Sequence, residues 1–356
     1  KSIIKKTLIF PWRITGALDE LAQAFDEKHM IASFNGSGLA NAFAKRGWDG
    51  GLPGSNSGDF VAVVTANYGG MKSDRYITRD VTYDLNVTSE KDILGNPVVN
   101  AKVTIDIRHN GIWNIPLSGP YTGYLRTLIP LNSTVTAGAT VKEDRADAYV
   151  LGELLNIPVG GNASYTYEYT LPEYVWNNGV YNLQLRKQPG TLADRYRVIV
   201  HVPQGESLDS NFFDIRENVG FFETNLISDQ NLFFMVTPDT NPPRIVSHEI
   251  TGLNEITIVF NEPIPTDFGG DALNYQVTDM DYADSEAKDV IGIAKVRVEG
   301  SAIILTTAGM TIQEDERYEV AIRNLRDSAG NVITPNPRTV TVVQGAANLT
   351  ASADNT

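Results

Sequence analysis

The chain has 356 residues, of which 42% are hydrophobic and 20% charged, with a net charge of −14 and no cysteine. That length suits two or three domains, each able to bury a core of its own. Disulfides, thiolate catalysis and thiolate metal sites are excluded, and so acidic a surface argues against nucleic acid and anionic membranes as partners.

The first residue, Lys1, is not a start methionine, and the sequence shows neither a signal peptide nor an apolar run that could span a bilayer. The chain therefore reads as a processed product or as a piece of something longer, with no membrane insertion of its own. From Arg13 the apolar spacing is helical, with Ile14, Leu18, Leu21 and Phe25 on one face. A second short helix is predicted over Leu39–Arg46, with Ser37 near its start and Gly47 as a C-terminal cap. Leu39 and Phe43 are expected on its inner face, and Trp48 and Leu52 at the joint to the β part of the chain. Residues 1–57 hold too little helix to fold alone, so this segment is expected to dock on the next domain.

Gly58–Val87 is the stretch around which the fold is organised. Phe60–Val64 is an unbroken apolar run, which suits a central strand buried on both faces. Asn67-Tyr68-Gly69-Gly70 tolerates the positive φ of a tight reversal. Beyond it, Ile77, Val81, Tyr83, Leu85 and Val87 alternate with polar residues, the pattern of a long strand with one wet face. About ten strand-like runs with turn signals between them extend to Val236, which predicts a β-sandwich over 58–236 and not a parallel sheet. Residues 237–243, with Pro238, Pro242 and Pro243, read as a stiff linker. Strands are predicted at Arg244–Ile250, Glu255–Phe260, Leu273–Thr278, Val290–Val298, Ile303–Thr306, Tyr318–Arg323 and Arg338–Val343, which makes 244–344 a second sandwich of immunoglobulin type. Residues 345–356 read as a polar tail. The fold class is thus mainly β: a short N-terminal helical segment, a large antiparallel β-sandwich, then an Ig-like one.

Gly58, Asp59, Ala66, Asn67, Gly69, Gly70, Lys72, Asp74 and Arg79 resemble a motif of a bacterial surface family known only as a domain of unknown function, the 4012 family. Lys28-His29, Gly47-Trp48-Asp49-Gly50, Tyr124–Pro130 and Gln188-Pro189-Gly190 extend the resemblance to residues 10–236, matching the C-terminal portion of that family. Residues 242–344 are similar to the Ig-like domain of bacterial S-layer and other surface proteins. The carriers are Pro242–Ser247, Ile258–Ile264, Tyr318–Ile322 and the turn Asp327-Ser328-Ala329-Gly330-Asn331. Together these resemblances imply an extracellular, cell-surface location and give no chemistry.

Four histidines, His29, His109, His201 and His248, are too scattered to predict a catalytic or zinc site. The densest acidic run is Asp279, Asp281, Asp284, Glu286 and Asp289. Asp279, Asp281, Asp284 and Glu286 are the candidate metal ligands, because crowded hard oxygens suit calcium, although the spacing is not that of an EF-hand. The same logic extends to Asp327 and Asn331. Trp113, Tyr121, Tyr124, Trp176 and Tyr181 could line a sugar platform or could be sandwich core. The leading reading is a non-enzymatic, exported structural or assembly protein of S-layer or filament type, associating with itself or with other surface proteins. A glycan- or cell-wall-binding adhesin is the alternative, and a fragment of a wall-active enzyme a third.

Overall fold

The computed structural model of the chain describes residues 12–52, 58–113, 117–138, 141–145, 147–216, 218–281, 289–308 and 316–343. The side chain of Ile14, the candidate ligands Asp284 and Glu286, and the tail 345–356 lie outside the described residues. Two compact units form: Lys1–Val202 with Leu208–Val236, and Pro203–Ser207 with Thr237–Thr356.

The first unit opens with α1 (Trp12–Asp26) and α2 (Ser37–Lys45). Gly47 takes φ 67° just past α2, the left-handed conformation that ends a helix without a Cβ clash. The predicted inner faces are buried only in part: Phe25 is buried and Phe43 half-buried, while Leu18, Leu21 and Leu39 are exposed. The segment gathers around Phe25, with Phe43 edge-on at 5.3 Å and Trp48 stacked at 5.1 Å. Trp48 Nε1 donates to Asp26 Oδ1 at 2.6 Å, and Leu52 packs on the sheet beneath.

The strands of this unit are β1 (Asp59–Asn67), β2 (Ile77–Lys91), β3 (Pro97–His109), β4 (Tyr121–Ile129), β5 (Thr134–Ala137), β6 (Val141–Asp144), β7 (Tyr149–Ile157) and β8 (Asn162–Thr170). They continue with β9 (Trp176–Asn177), β10 (Val180–Arg186), β11 (Asp194–His201), β12 (Glu206–Asp209), β13 (Asp214–Arg216), β14 (Val219–Leu226) and β15 (Gln230–Pro238). One sheet runs β12-β15-β10-β1-β4-β7-β6, with β9 added on β10; the other runs β13-β14-β11-β2-β3-β8-β5. Phe60–Val63 is buried in the middle of the first sheet, and Val81, Tyr83, Leu85 and Val87 of the second point into the core with the predicted alternation. The strands that sequence reading did not separate are mostly the two- to four-residue pieces β6, β9, β12 and β13, too short for any periodicity.

Each sheet contains one seam that is parallel. There β1 runs parallel to β10, and β2 parallel to β11. Both β1→β2 and β10→β11 cross from one sheet to the other, so two arches pass side by side at the same end of the sandwich.

The second unit comprises β16 (Ile245–Gly252), β17 (Glu255–Phe260), β18 (Tyr275–Asp279), β19 (Val290–Ile291), β20 (Ile293–Glu299), β21 (Ala302–Thr307), β22 (Arg317–Ile322) and β23 (Arg338–Val343). Its sheets are β16-β17-β21-β20 and β19-β18-β22-β23, the strand order of an immunoglobulin-type sandwich. The expected strand Val290–Val298 is two strands, because the chain changes sheets at Gly292. Ile256, Ile258, Val277, Ile303, Leu305, Val320 and Ile322 fill the core from both sheets.

Candidate functional site

In the second unit, three loops bring Asp239, Glu262 and Asp327 together, with a carboxylate oxygen from each within 4.8 Å of the others. Asp239 follows β15, Glu262 follows β17 in Asn261-Glu262-Pro263, and Asp327 opens the turn that the sequence marks by its Gly and Asn. That turn is built by local chemistry. Gly330 takes φ 89°, and Asn331 donates from its backbone N at 2.8 Å and its side chain at 2.9 Å to the Asp327 carboxylate. The Asn331 amide also donates to the Asp239 carbonyl at 3.0 Å, tying the turn to the linker. Among the described residues no basic side chain lies within ion-pair distance of these three carboxylates. Burial, and then the charges of Asp327 and Asp239, push the Glu262 carboxyl up to about 7. Three hard oxygen donors in this arrangement could hold a divalent cation of calcium type, with further ligands from backbone and water.

The repulsion has a measurable consequence. A carboxyl whose pKa is raised by folding stabilises the fold below its unfolded value and loses that contribution as pH rises through the folded one. Glu262→Gln should therefore raise the melting temperature of the second unit at pH 8 in metal-free buffer, with the gain fading toward pH 4. Parallel melting curves for parent and variant across that range would rule out the repulsion.

The acidic run expected to bind calcium is arranged differently. Asp279 is buried at the end of β18, and its Oδ1 accepts from the Asp281 backbone N at 2.9 Å. Asp281 is engaged by Arg317, whose Nη2 and Nε donate at 2.5 and 3.1 Å and whose backbone N adds a third bond at 2.7 Å. Those bonds hold the Asp281 carboxyl below its ordinary range. A cation here would compete with a guanidinium already in place. Asp239 and Glu262 escaped sequence reading because each is a single acid in a proline-containing loop; only folding adds them to Asp327.

The histidines do not converge. His109 is buried, its Nδ1 accepting from Gly111 N at 3.1 Å and its Nε2 lying 2.9 Å from the Gly119 carbonyl. His29 pairs with Glu27 at 3.1 Å and His201 with Asp84 at 3.3 Å, while His248 has a buried Nδ1 with no partner among the described residues. The sugar platform does not form either. Tyr121, Trp176 and Tyr181 are core residues, and only Trp113 stands out at 62% exposure.

The residues of the Gly58–Arg79 motif act as pins of the first sandwich. Asp59 is fully buried, accepting from Tyr83 Oη at 2.9 Å and Tyr181 Oη at 2.7 Å, with Tyr169 Oη donating onward to Tyr83 at 3.2 Å. Burial pushes its carboxyl up to about 7, against the pull of those hydroxyls. At Gly58, with φ 102°, a Cβ would meet the Asn182 carbonyl oxygen at 2.8 Å, so only glycine fits. Arg79 lies where the two arches meet. It donates to both oxygens of Asp194 at 3.0 and 2.6 Å, to Gln188 Oε1 at 2.7 Å and to Thr65 Oγ1 at 3.1 Å. The Gln188 amide in turn bonds the Thr65 backbone N and O at 3.0 and 2.9 Å, continuing the β1 edge by a side chain.

No family model matches the chain, and no curated protein matches it. The resemblance of residues 10–236 to the domain-of-unknown-function 4012 family thus gains no support from a family model. Among solved structures, the N-terminal part of a bacterial S-layer protein is similar over 29% of this chain at 18% identity, with a TM-score of 0.25. The match covers 24% of that S-layer chain, so the present chain spans about a quarter of it. A candidate nutrient-binding protein of Legionella pneumophila is similar over 50% of this chain and 73% of its own, at 9% identity and a TM-score of 0.32. Likenesses this low carry no argument about function. No helix among the described residues is long and apolar enough to cross a membrane.

Proposed function

We propose that this chain is a non-enzymatic structural protein of a bacterial cell surface, exported and built to associate with further copies or with other surface proteins. The observation that supports the reading is the architecture: two β-sandwiches in series, each closing its own apolar core, with the proline-bearing stretch 237–243 between them in sequence. In such a chain, contacts with a partner fall on outer faces and sheet edges. The edge strands β16 and β20 carry register shifts, which discourage strand addition. β23 pairs in unbroken register and is rich in Thr and Val, so it is the edge most open to another strand. With a net charge of −14, copies repel one another, and salt or calcium should promote association.

Electron microscopy and sedimentation of the purified chain, with and without calcium, test the reading. Ordered arrays or filaments are expected, strengthened by calcium. Placing lysines on the edge with Thr339→Lys and Thr341→Lys, both exposed positions, should weaken assembly without lowering the melting temperature. A protein that stays monomeric at high concentration in calcium would sink the proposal.

A further inference from the structure

The outward face of the β1 sheet carries a concentration of cations unlike the rest of this acidic chain. Strand register sets them side by side. Ala62 of β1 lies between Leu128 of β4 and Arg186 of β10, Val64 pairs with Arg126, and Leu128 pairs with Val150 of β7. Leu52 packs on the apolar part of this face. The result is a cavity of about 410 Å³ with an apolar floor and Lys28, Arg126, Arg145, Arg186 and Lys187 around it. A second hollow of about 680 Å³ shares Lys28 and Arg186 with it.

The carboxylates nearby do not match this charge. Asp229 serves two cations, Lys28 at 2.8 Å and Arg186 at 2.7 Å. Lys187 is buried; its Nζ donates to the carbonyls of Glu27 and Thr191 at 2.9 and 2.7 Å, and its backbone N to Asp229 Oδ1 at 2.8 Å. Asp49 is turned to its own loop, its Oδ1 accepting from Gly51 N at 3.0 Å, and Asp147 meets Arg145 at 3.4 Å. The Arg126 side chain has no hydrogen-bond or ion-pair partner among the described residues, although its Nε is shut off from solvent; the Arg186 Nε is buried and unpaired as well. Buried donors are almost always satisfied, so two unpaired guanidinium Nε groups lining one cavity ask for an acceptor from outside the chain.

We propose that this cavity binds an oxyanion, a carboxylate or phosphate carried on a body of sugar or amino-acid size, with Arg126 as its principal contact. A guanidinium offers paired donors that fit either group. The apolar floor of Ala62, Val64 and Leu128 supports the body of the ligand, and the volume lies in the range of small-molecule sites. The site lies wholly in the first unit and does not depend on assembly.

Calorimetric titration of the full chain at low salt, with glucuronate, glucose 6-phosphate and glucose as probes, tests the proposal. At least one of the two anions should bind and glucose should not, and the binding should weaken as salt is raised. The anion preferred tells carboxylate from phosphate. Arg126→Ala should weaken binding roughly ten- to a hundredfold without changing the melting temperature, since the Arg126 side chain makes no hydrogen bond within the described fold and its backbone ladder is kept by alanine. Arg126→Lys should fall between, and it carries the comparison alone if Arg126→Ala fails to fold. The proposal is overturned by no binding of either anion, by glucose binding as tightly, or by variants that bind as the parent does.

Discussion

Replacing Arg79 by methionine is expected to destabilise the first unit by about 3–5 kcal/mol, because it strands a buried charge. The side chains of Arg79 and Asp194 are 3% and 12% exposed, and their two parallel hydrogen bonds are the route by which the Asp194 charge is compensated. Burial already lifts the Asp194 carboxyl above its ordinary range against the attraction of Arg79. Without the guanidinium, Asp194 must either stay charged in a dry site or take up a proton at neutral pH. The arches would also lose the bonds from Arg79 to Gln188 and Thr65. Urea unfolding reads the effect as a lower midpoint. Because the desolvated pair, not the packing, is at issue, Arg79→Met with Asp194→Leu should recover most of the loss. A single variant within about 1 kcal/mol of the parent would show that the pin is not needed.

Asp59→Asn is expected to stabilise the first unit at pH 8 and to remove most of the pH dependence of that unit near neutrality. The Asp59 pKa rises from 3.8 to about 7 on folding, with burial as the first cause. The folded state therefore holds a proton that the unfolded state releases between those values. Its contribution is complete below pH 3.8 and is lost as pH rises through 7. A shift of that size corresponds to about 4 kcal/mol by pH 8, an upper bound because Tyr83, Tyr169 and Tyr181 share the network. Asparagine keeps an oxygen to accept from both tyrosines and cannot ionise. Asp59→Ala leaves two buried hydroxyls without an acceptor and should cost about 2–4 kcal/mol at pH 5, where Asn is neutral in effect. If Asp59→Asn melts below the parent at pH 8, the carboxylate is charged and stabilising in the fold, and this account of the core is wrong.

Both residues belong to the motif singled out in the sequence, and neither role could be read there. Arg79 occupies the inward phase of β2, in step with Val81, Tyr83 and Leu85, which by pattern alone looks like an error in the alternation. Its partner Asp194 lies 115 positions away. The three-acid cluster was half legible. The Asp327–Asn331 turn could be recognised from its Gly and Asn, whereas Asp239 and Glu262 are ordinary loop acids until the second unit closes. The reverse holds for Asp281, which belongs to a dense acidic run in sequence and in the fold is neutralised by Arg317, 36 residues on. Leu18, Leu21 and Leu39 show the limit of helical periodicity. The spacing predicted their shared face, but nothing in it says whether a neighbour covers that face.

What the sequence determined by itself is the mainly β class, the central place of Phe60–Val64, the inward phase of β2 and most strands of the Ig-like unit. These come from neighbours within a few positions, where side-chain alternation and turn residues act directly on the backbone. What only the tertiary structure decided is the parallel seam between the two arches, the pairing of Arg79 with Asp194, and the gathering of Asp239, Glu262 and Asp327 and of the cations around Arg126. Those depend on which strands lie beside which, and burial and charge at such a site are sums over residues that are distant along the chain.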